Sequence, residues 1–218
     1  MVGAVMALVL TWSAASHAQS DTSAYQGVAV QKRKFQMGNE LRLAIGTLPV
    51  DPYQKGFSGS LSFTRHLNDY WAWEIFQVTG ILLTSTDLRD ELIDVFAREP
   101  NEFAAPRFMA TTGFELTPLY GKWAFLNDGI VHNSLIIGAY GGVIWGDRGD
   151  ITETLTDIRP SFGPGLGYRI FLSRAWSARI DWRTFASVRP EVVDSDEFGV
   201  DLVMLITLSM SLNFGVDQ

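Results

Sequence analysis

The stretch FGVDLVMLITLSMSLNF, residues 198–214, alternates between apolar and polar side chains over most of its length. One side of this run is apolar and carries Val200, Leu202, Met204, Ile206, Leu208, Met210 and Leu212. The other side carries the polar residues Asp201, Thr207, Ser209, Ser211 and Asn213. Successive side chains of a β-strand point to opposite faces, so a repeat of two residues predicts a strand with one apolar and one polar face.

The same repeat occurs upstream in five more runs, at residues 40–46, 57–66, 107–116, 161–170 and 176–184. Two further runs, near residues 70–84 and 131–146, are more apolar and alternate less cleanly. A period of two that recurs about eight times, in segments of roughly ten residues, is the pattern of a barrel in a membrane. We therefore predict an all-β fold: a transmembrane antiparallel up-and-down β-barrel of about eight strands.

The composition indicates which face of this barrel lies outside. Hydrophobic residues make up 47% of the chain and charged residues 19%, below the roughly 25% of typical soluble domains. The polar faces are largely Ser, Thr and Gly, which fit the narrow interior of a small barrel. The apolar faces carry Phe, Leu, Ile and Trp, which lipid can solvate. The alternative is a secreted soluble lipocalin-like binder.

The beginning of the chain predicts export. Residues 2–12 are apolar but too short to span a bilayer as a helix, and Ser16 and Ala18 suit a signal peptidase. We predict a signal peptide at 1–18, a periplasmic N-terminal linker at 19–37 and the outer-membrane β-barrel at 38–218. A buried strand or helix is the alternative for the apolar stretch. The basic patch QKRK at 31–34 lies against acidic lipid headgroups or is a solvated tail.

The connections between the runs alternate in length. The turns LNDY at 67–70 and LSRA at 172–175 are tight, whereas residues 85–105 form a long connection. Outer-membrane barrels have short periplasmic turns and longer external loops. This predicts that both termini are periplasmic, with residues 118–129 as one unusually long periplasmic turn and residues 147–157 as an external loop. Aromatic side chains near the short turns predict an interfacial girdle: Trp71, Trp73, Trp123, Trp176 and Phe214.

Charged residues on the inward faces are nearly balanced in sign, which predicts ion pairs in the lumen. Folding the last hairpin about its middle places Arg183 opposite Asp201. His66 is expected near Glu74 across the LNDY turn. We predict that the lumen is closed by ion pairs and does not conduct. The lumen residues are Glu40, Arg42, Glu74, Arg107, Glu115, Arg169, Arg179, Asp181, Arg183 and Asp201.

Several functional classes lack support in the sequence. The net charge of −7 disfavours a nucleic-acid partner, since phosphate binding needs a basic face. There is no cysteine, so disulfide and thiolate chemistry are excluded. The histidines His17, His66 and His132 do not cluster with Ser and Asp as a hydrolase would require. We predict no enzyme activity, no cofactor and no resident metal.

The external connections offer two other features. The acidic sequences DRGD at 147–150 and DSDE at 194–197 are candidates for calcium, but their spacing lacks a full ligand set, and solubilising charge is the alternative. Residues 86–99 can form a short amphipathic helix that caps the mouth, contacts a partner or rests on headgroups. The predicted partners are outer-membrane lipid and an envelope protein bound through the extracellular loops or the N-terminal linker.

Three segments carry a family resemblance: VQKRKFQMGNELRLAIG at 30–46, FELTPLYGKWAFLNDGIVHNSLIIGAYGG at 114–142 and GPGLGYRIFLSRAWSARIDWR at 163–183. With them the chain resembles, over residues 31–215, the outer membrane β-barrel domain family of myxobacteria and related gliding or predatory bacteria. The resemblance implies a small barrel, associated in some members with motility or envelope complexes, and brings no catalytic residues. Residues and resemblance together predict a bacterial outer-membrane protein with a structural or partner-docking role. A narrow channel or ligand-transport barrel is the alternative.

Overall fold

The computed structural model describes residues 35–49, 54–85, 105–125, 129–150, 153–188 and 200–215. The predicted signal peptide at 1–18 and the amphipathic helix at 86–99 lie outside these ranges. So does most of the predicted linker. Within the described ranges, no helix has the length and apolar character needed to cross a membrane.

Eight antiparallel strands form one closed barrel in which each strand pairs with its neighbours in the chain and the last pairs with the first. This confirms the prediction of an all-β, up-and-down barrel of about eight strands. The strands are β1 (Asn39–Leu48), β2 (Gln54–His66), β3 (Trp71–Ser85), β4 (Ala105–Phe125), β5 (Gly129–Asp150), β6 (Glu153–Phe171), β7 (Trp176–Val188) and β8 (Val200–Phe214).

The barrel closes where β1 begins and β8 ends, with Asn39 opposite Phe214. Two glycines allow the residues that flank β1 and β8 to lie together at this seam. Gly215 has a φ of 76°, in the left-handed region that other residues rarely adopt. A Cβ atom on Gly38 would collide with the carbonyl oxygen of Gly215. We call this end of the barrel the termini end, and the other the opposite end.

Two loop predictions were wrong because strands occupy more of the chain than the polarity pattern suggested. Residues 118–129 are not a long turn, since β4 continues to Phe125 and β5 begins at Gly129. Pro118 lies in a bulge between Leu116 and Leu119, where the missing N–H does not interrupt the ladder. Residues 147–157 are not a loop either, because β5 and β6 remain paired as far as Asp150 and Glu153.

The tight turns at the termini end are stabilised by side chains that accept backbone hydrogen bonds. Asn68 Oδ1 accepts bonds from the N–H groups of Tyr70 and Trp71, both at 2.8 Å. Ser173 Oγ accepts a bond from the N–H of Trp176 at 3.0 Å. These local bonds fix both turns immediately before a tryptophan.

The alternation along the strands separates an apolar exterior from a polar interior. Leu43, Ile45 and Leu82 lie within strands, yet they are 65%, 71% and 76% exposed. Serine, threonine, arginine and glutamate side chains are buried instead. The barrel is therefore the inverse of a soluble one, with most of its buried polar groups in the lumen.

Candidate functional site

The most organised part of the described structure is the filled lumen, which has three layers. Ion pairs occupy the middle, an apolar cluster lies toward the opposite end, and aromatic and polar side chains occupy the termini end. The side chains of each layer come from strands that are distant in sequence. The lumen is consequently a tertiary feature that only closure of the barrel creates.

Glu74 is the centre of the first group of ion pairs. Its carboxylate accepts two parallel hydrogen bonds from Arg183, Nη1 to Oε1 at 2.7 Å and Nη2 to Oε2 at 2.8 Å. Arg42 donates to Oε2 from a third strand. Glu74 is 0% exposed and both arginines are 2% exposed. One carboxylate thus links β1, β3 and β7 across the lumen, in the bidentate geometry that favours arginine.

Glu115 is the centre of a second group. It accepts bonds from Arg179, Nη1 to Oε2 at 2.8 Å and Nη2 to Oε1 at 2.7 Å. Arg179 also donates from Nε to Asp181 Oδ1 at 2.7 Å. Asp181 Oδ2 lies 3.6 Å from Arg42 Nη1, so the two groups form one connected network.

Tyr140 supports this network from the wall of the lumen. Its hydroxyl donates to Glu115 Oε1 at 2.9 Å, and the Arg183 guanidinium carbon lies 3.8 Å from the centre of its ring. Inward-facing glycines make room for the ring: a Cβ on Gly165 would lie 2.7 Å from the ring carbon Cε2, and one on Gly138 would also overlap the ring. Gly165 of the GPGLG segment at 163–167 therefore makes room for a lumen side chain.

Glu40 is the centre of a third group at the termini end. It accepts hydrogen bonds from Arg169 Nη2 at 2.5 Å and Ser211 Oγ at 2.7 Å. His66 Nε2 lies 3.0 Å from Glu40 Oε2. The carboxylate that His66 contacts is therefore Glu40. Glu74, near which the sequence predicted His66, is opposite Thr64 in the β2–β3 ladder, whereas His66 is opposite Ala72.

Residues at the start of the barrel domain enter this end of the lumen. The Phe35 ring stacks on Phe171 at 5.2 Å and meets the His132 ring edge-on at 5.1 Å. Met37 Sδ accepts a hydrogen bond from Arg169 Nη1 at 3.0 Å. Phe35 and Met37, the residues at the C-terminal end of the predicted linker 19–37, thus pack against the barrel.

An apolar cluster lies above the ion pairs toward the opposite end. Its members are among the most buried side chains of the barrel: Ile81, Met109, Tyr140, Ile144 and Phe185, with Leu48, Leu83 and Val203 packed against them. This cluster does not follow from the polarity pattern, because apolar residues of the alternating runs are expected on the exterior. The sequence does contain one signal for the cluster, because Met109 is an apolar residue on the inward side of its alternating run.

Nine of the ten predicted lumen residues lie inside the barrel, but the partner predicted for two of them was wrong. Ser187 is opposite Asp201, and Arg183 is opposite Leu205. The pairs of β7 and β8 share the sequence midpoint 194, as in Val188–Val200, whereas a pair of Arg183 with Asp201 would require the midpoint 192. A shift in register by an even number of residues preserves inward and outward faces, so alternation could not detect it.

Asp201 instead accepts a hydrogen bond from Arg159 Nη1 at 2.6 Å. Arg159 was absent from the predicted set of lumen residues. It could have been included, because it lies two residues before Ser161 and therefore on the same inward face. Arg107 was placed in the lumen and is exposed on the exterior. It occupies a bulge between Pro106 and Phe108, which reverses its expected facing.

The five predicted girdle residues are exposed on the outer surface near the termini end. Trp71, Trp73, Trp176 and Phe214 lie close to the ends of β3, β7 and β8, and Trp123 lies on β4 rather than in a turn. Trp73 also stacks on Phe114 of the neighbouring strand, with ring centres 6.1 Å apart. Exposed aromatic rings therefore form an aromatic belt at this depth on β3, β4, β7 and β8.

Within the described ranges, no group of three or more His, Asp or Glu side chains could hold a metal ion. The acidic side chains proposed as calcium ligands at 147–150 and 194–197 lie outside the part of the chain whose side chains are described. The chemistry available in the lumen is charge pairing and hydrogen bonding. These interactions can hold strands together and fill space.

No family model matches this chain, and no curated protein matches it. Among solved structures, the crystal structure of Neisserial surface protein A (NspA) is similar, with a TM-score of 0.46 and 10% sequence identity. The match covers 81% of this chain and 94% of that chain. The likeness carries no functional information at this identity.

Proposed function

We propose that this protein is a small barrel of the bacterial outer membrane with a structural or partner-docking role in the envelope. The observation that carries the proposal is the combination of an apolar exterior with a lumen filled by buried ion pairs. A membrane solvates such an exterior, whereas water would not. The filled interior suits a scaffold better than a general porin.

The exterior supports a membrane location. Large apolar side chains are exposed on all eight strands, for example Leu43, Phe57, Trp145 and Leu202. Soluble monomers rarely expose contiguous apolar patches larger than a few hundred Å². The aromatic belt at the termini end matches the depth at which amphipathic rings favour a membrane interface.

The lumen supports a role without transport. Glu74 and Glu115 each hold an arginine in bidentate geometry across the barrel, and these side chains are nearly inaccessible. Opening a path would separate charges that are paired in a poorly hydrated space, which is costly. The apolar cluster around Phe185 and Met109 adds a second obstruction.

A narrow channel is the second candidate, and one observation favours it. Several buried lumen hydroxyls lack a hydrogen-bond partner among the described residues, including Ser58, Thr64 and Ser161. Buried polar groups normally find a partner in protein or in water. A hydrated seam along these hydroxyls would satisfy them and offer a path to small solutes.

Docking of an envelope protein is assigned to the connections at the opposite end, of which 86–104 is the longest, or to the N-terminal residues before the barrel. This choice follows from the fold, since the strands themselves are occupied by the lumen on one face and by lipid on the other. Membership of a motility or envelope complex is what the family resemblance suggests.

The location is tested by separating the membranes of cells that express the full chain. We expect recovery in the outer-membrane fraction and a faster gel mobility of the unboiled protein, because a closed barrel resists unfolding by detergent. A soluble periplasmic protein, processed in the same cells, provides the control. Recovery as a soluble periplasmic monomer would contradict the proposal and favour the lipocalin-like alternative.

A further inference from the structure

Two glycines lie side by side on the outer face of the barrel. Gly59 on β2 pairs with Gly80 on β3, between Ile45 on β1 and Phe108 on β4 in the same row. A Cβ atom added to Gly59 would have no neighbour within 4 Å, and one added to Gly80 would meet only the Phe108 ring at 3.7 Å. The glycines therefore form a notch in an otherwise bulky apolar exterior.

This notch is the floor of a groove of about 890 Å³, whose walls include Leu43, Leu61 and Phe108. A second groove of about 580 Å³ lies against Phe108, Val143 and Trp145. Phe108 contributes to both grooves and is 56% exposed. These two apolar depressions of the exterior thus share one aromatic ring.

A positive charge lies beside these grooves. Arg107 lines the second groove next to Trp145 and is exposed, because the bulge at this position turns it outward. It lies near the start of β4, at the opposite end of the barrel. The other exposed Arg and Lys side chains of the described part, Arg65, Lys122 and Arg174, lie toward the termini end.

We propose that Arg107 and the two grooves bind one diacyl glycerophospholipid, with its phosphate on the guanidinium and one acyl chain in each groove. Charge complementarity selects the headgroup, since guanidinium binds phosphate oxygens in a bidentate manner. The two grooves adjoin at Phe108 and the second contacts Arg107, so each can shield one acyl chain of a lipid whose phosphate lies on the guanidinium. The proposal rests on the membrane location proposed above.

Two pairs of variants distinguish a specific lipid-binding site from non-specific contact with lipid. Arg107→Gln removes the charge beside the grooves, and Arg65→Gln removes an exposed charge at the other end of the barrel. Gly59→Leu fills the notch, and its Cβ has no neighbour within 4 Å. Gly141→Leu is its control: Gly141 is also outward-facing, outside both grooves, and its added Cβ would meet only the Ser161 carbonyl oxygen at 3.8 Å.

The full chain is purified in a mild detergent, and unboiled gel mobility verifies that each variant is folded. Native mass spectrometry then measures binding of dioleoyl phosphatidic acid, with dioleoylglycerol as the probe that lacks the phosphate. We expect one phosphatidic acid per barrel, and a Kd raised about tenfold or more by Arg107→Gln and by Gly59→Leu, equivalent to about 1.4 kcal/mol. Arg65→Gln and Gly141→Leu should bind like wild type. If Gly59→Leu does not fold, the two arginine variants decide.

Three results would overturn the lipid site. The first is an equal affinity of the Arg107→Gln and Arg65→Gln variants for phosphatidic acid. The second is equal binding of dioleoylglycerol and phosphatidic acid. The third is stronger binding of a phosphorylated glycolipid with more than two chains, for which monophosphoryl lipid A is the probe. A barrel that fractionates with the outer membrane but shows any of these results disproves only the lipid site. Recovery of a soluble monomer disproves the membrane location as well.

Discussion

Replacement of Glu74 by Gln is expected to be among the most destabilising conservative changes in the barrel. The carboxylate accepts hydrogen bonds from Arg183 and Arg42 while it is 0% exposed. Glutamine is nearly isosteric but has no negative charge, so both guanidinium groups lose their main counter-charge. Breaking a buried ion pair by removing one partner costs about 3–5 kcal/mol.

The structure indicates a value near the lower end of that range. Arg42 retains Asp181 at 3.6 Å, and Arg183 retains Glu115 at 3.7 Å, so neither arginine becomes isolated. We therefore expect Glu74→Gln to lower the free energy of unfolding by about 3 kcal/mol. Asp201→Asn is the comparison variant, because Asp201 is 29% exposed in its pair with the buried Arg159 and its loss should cost less than the loss of the fully buried Glu74.

The assay is urea unfolding of the barrel in lipid vesicles, followed by tryptophan fluorescence and by the gel mobility of unboiled samples. A double variant, Glu74→Gln with Arg183→Met, tests the source of the loss. Its cost should be smaller than the sum of the two single costs by about 1 kcal/mol or more, as expected for directly interacting residues. Equal stability of Glu74→Gln and wild type, or strict additivity, would refute the ion-pair explanation.

Three further outcomes are expected. Planar-bilayer recording of the wild-type protein should show no steady conductance, since paired charges and an apolar cluster fill the lumen; stable channels would favour the narrow-channel alternative. A cysteine introduced at Glu99 should react with an impermeant maleimide on intact cells, whereas Asn68→Cys should react only after the envelope is disrupted; the reverse pattern would invert the orientation. Phe35→Ala should lower the free energy of unfolding by about 2–4 kcal/mol, because it removes an aromatic ring packed against Phe171 and His132. Phe57→Ala, which removes an exposed ring, is the control. Equal losses of stability in the two variants would show that the Phe35 contact is not specific.

The strand pattern and the facing of most side chains could be predicted from the sequence because both depend on the period of two. A residue such as Arg179 or Ser211 is assigned to the lumen by its position in an alternating run, without knowledge of its partner. Arg107 shows the limit of this reasoning. A bulge inserts one residue and reverses the facing, and alternation cannot detect such an insertion when neighbouring residues are compatible with either face.

The partners inside the lumen were decided only by the tertiary structure. Glu74 meets Arg183, 109 residues away, because barrel closure brings β3 and β7 across the same narrow space. The register of each hairpin determines which inward residues share a level, and an even shift leaves the polarity pattern unchanged. The sequence by itself therefore determined which side chains face inward, whereas closure and register determined that Asp201 pairs with Arg159 and Arg183 with Glu74.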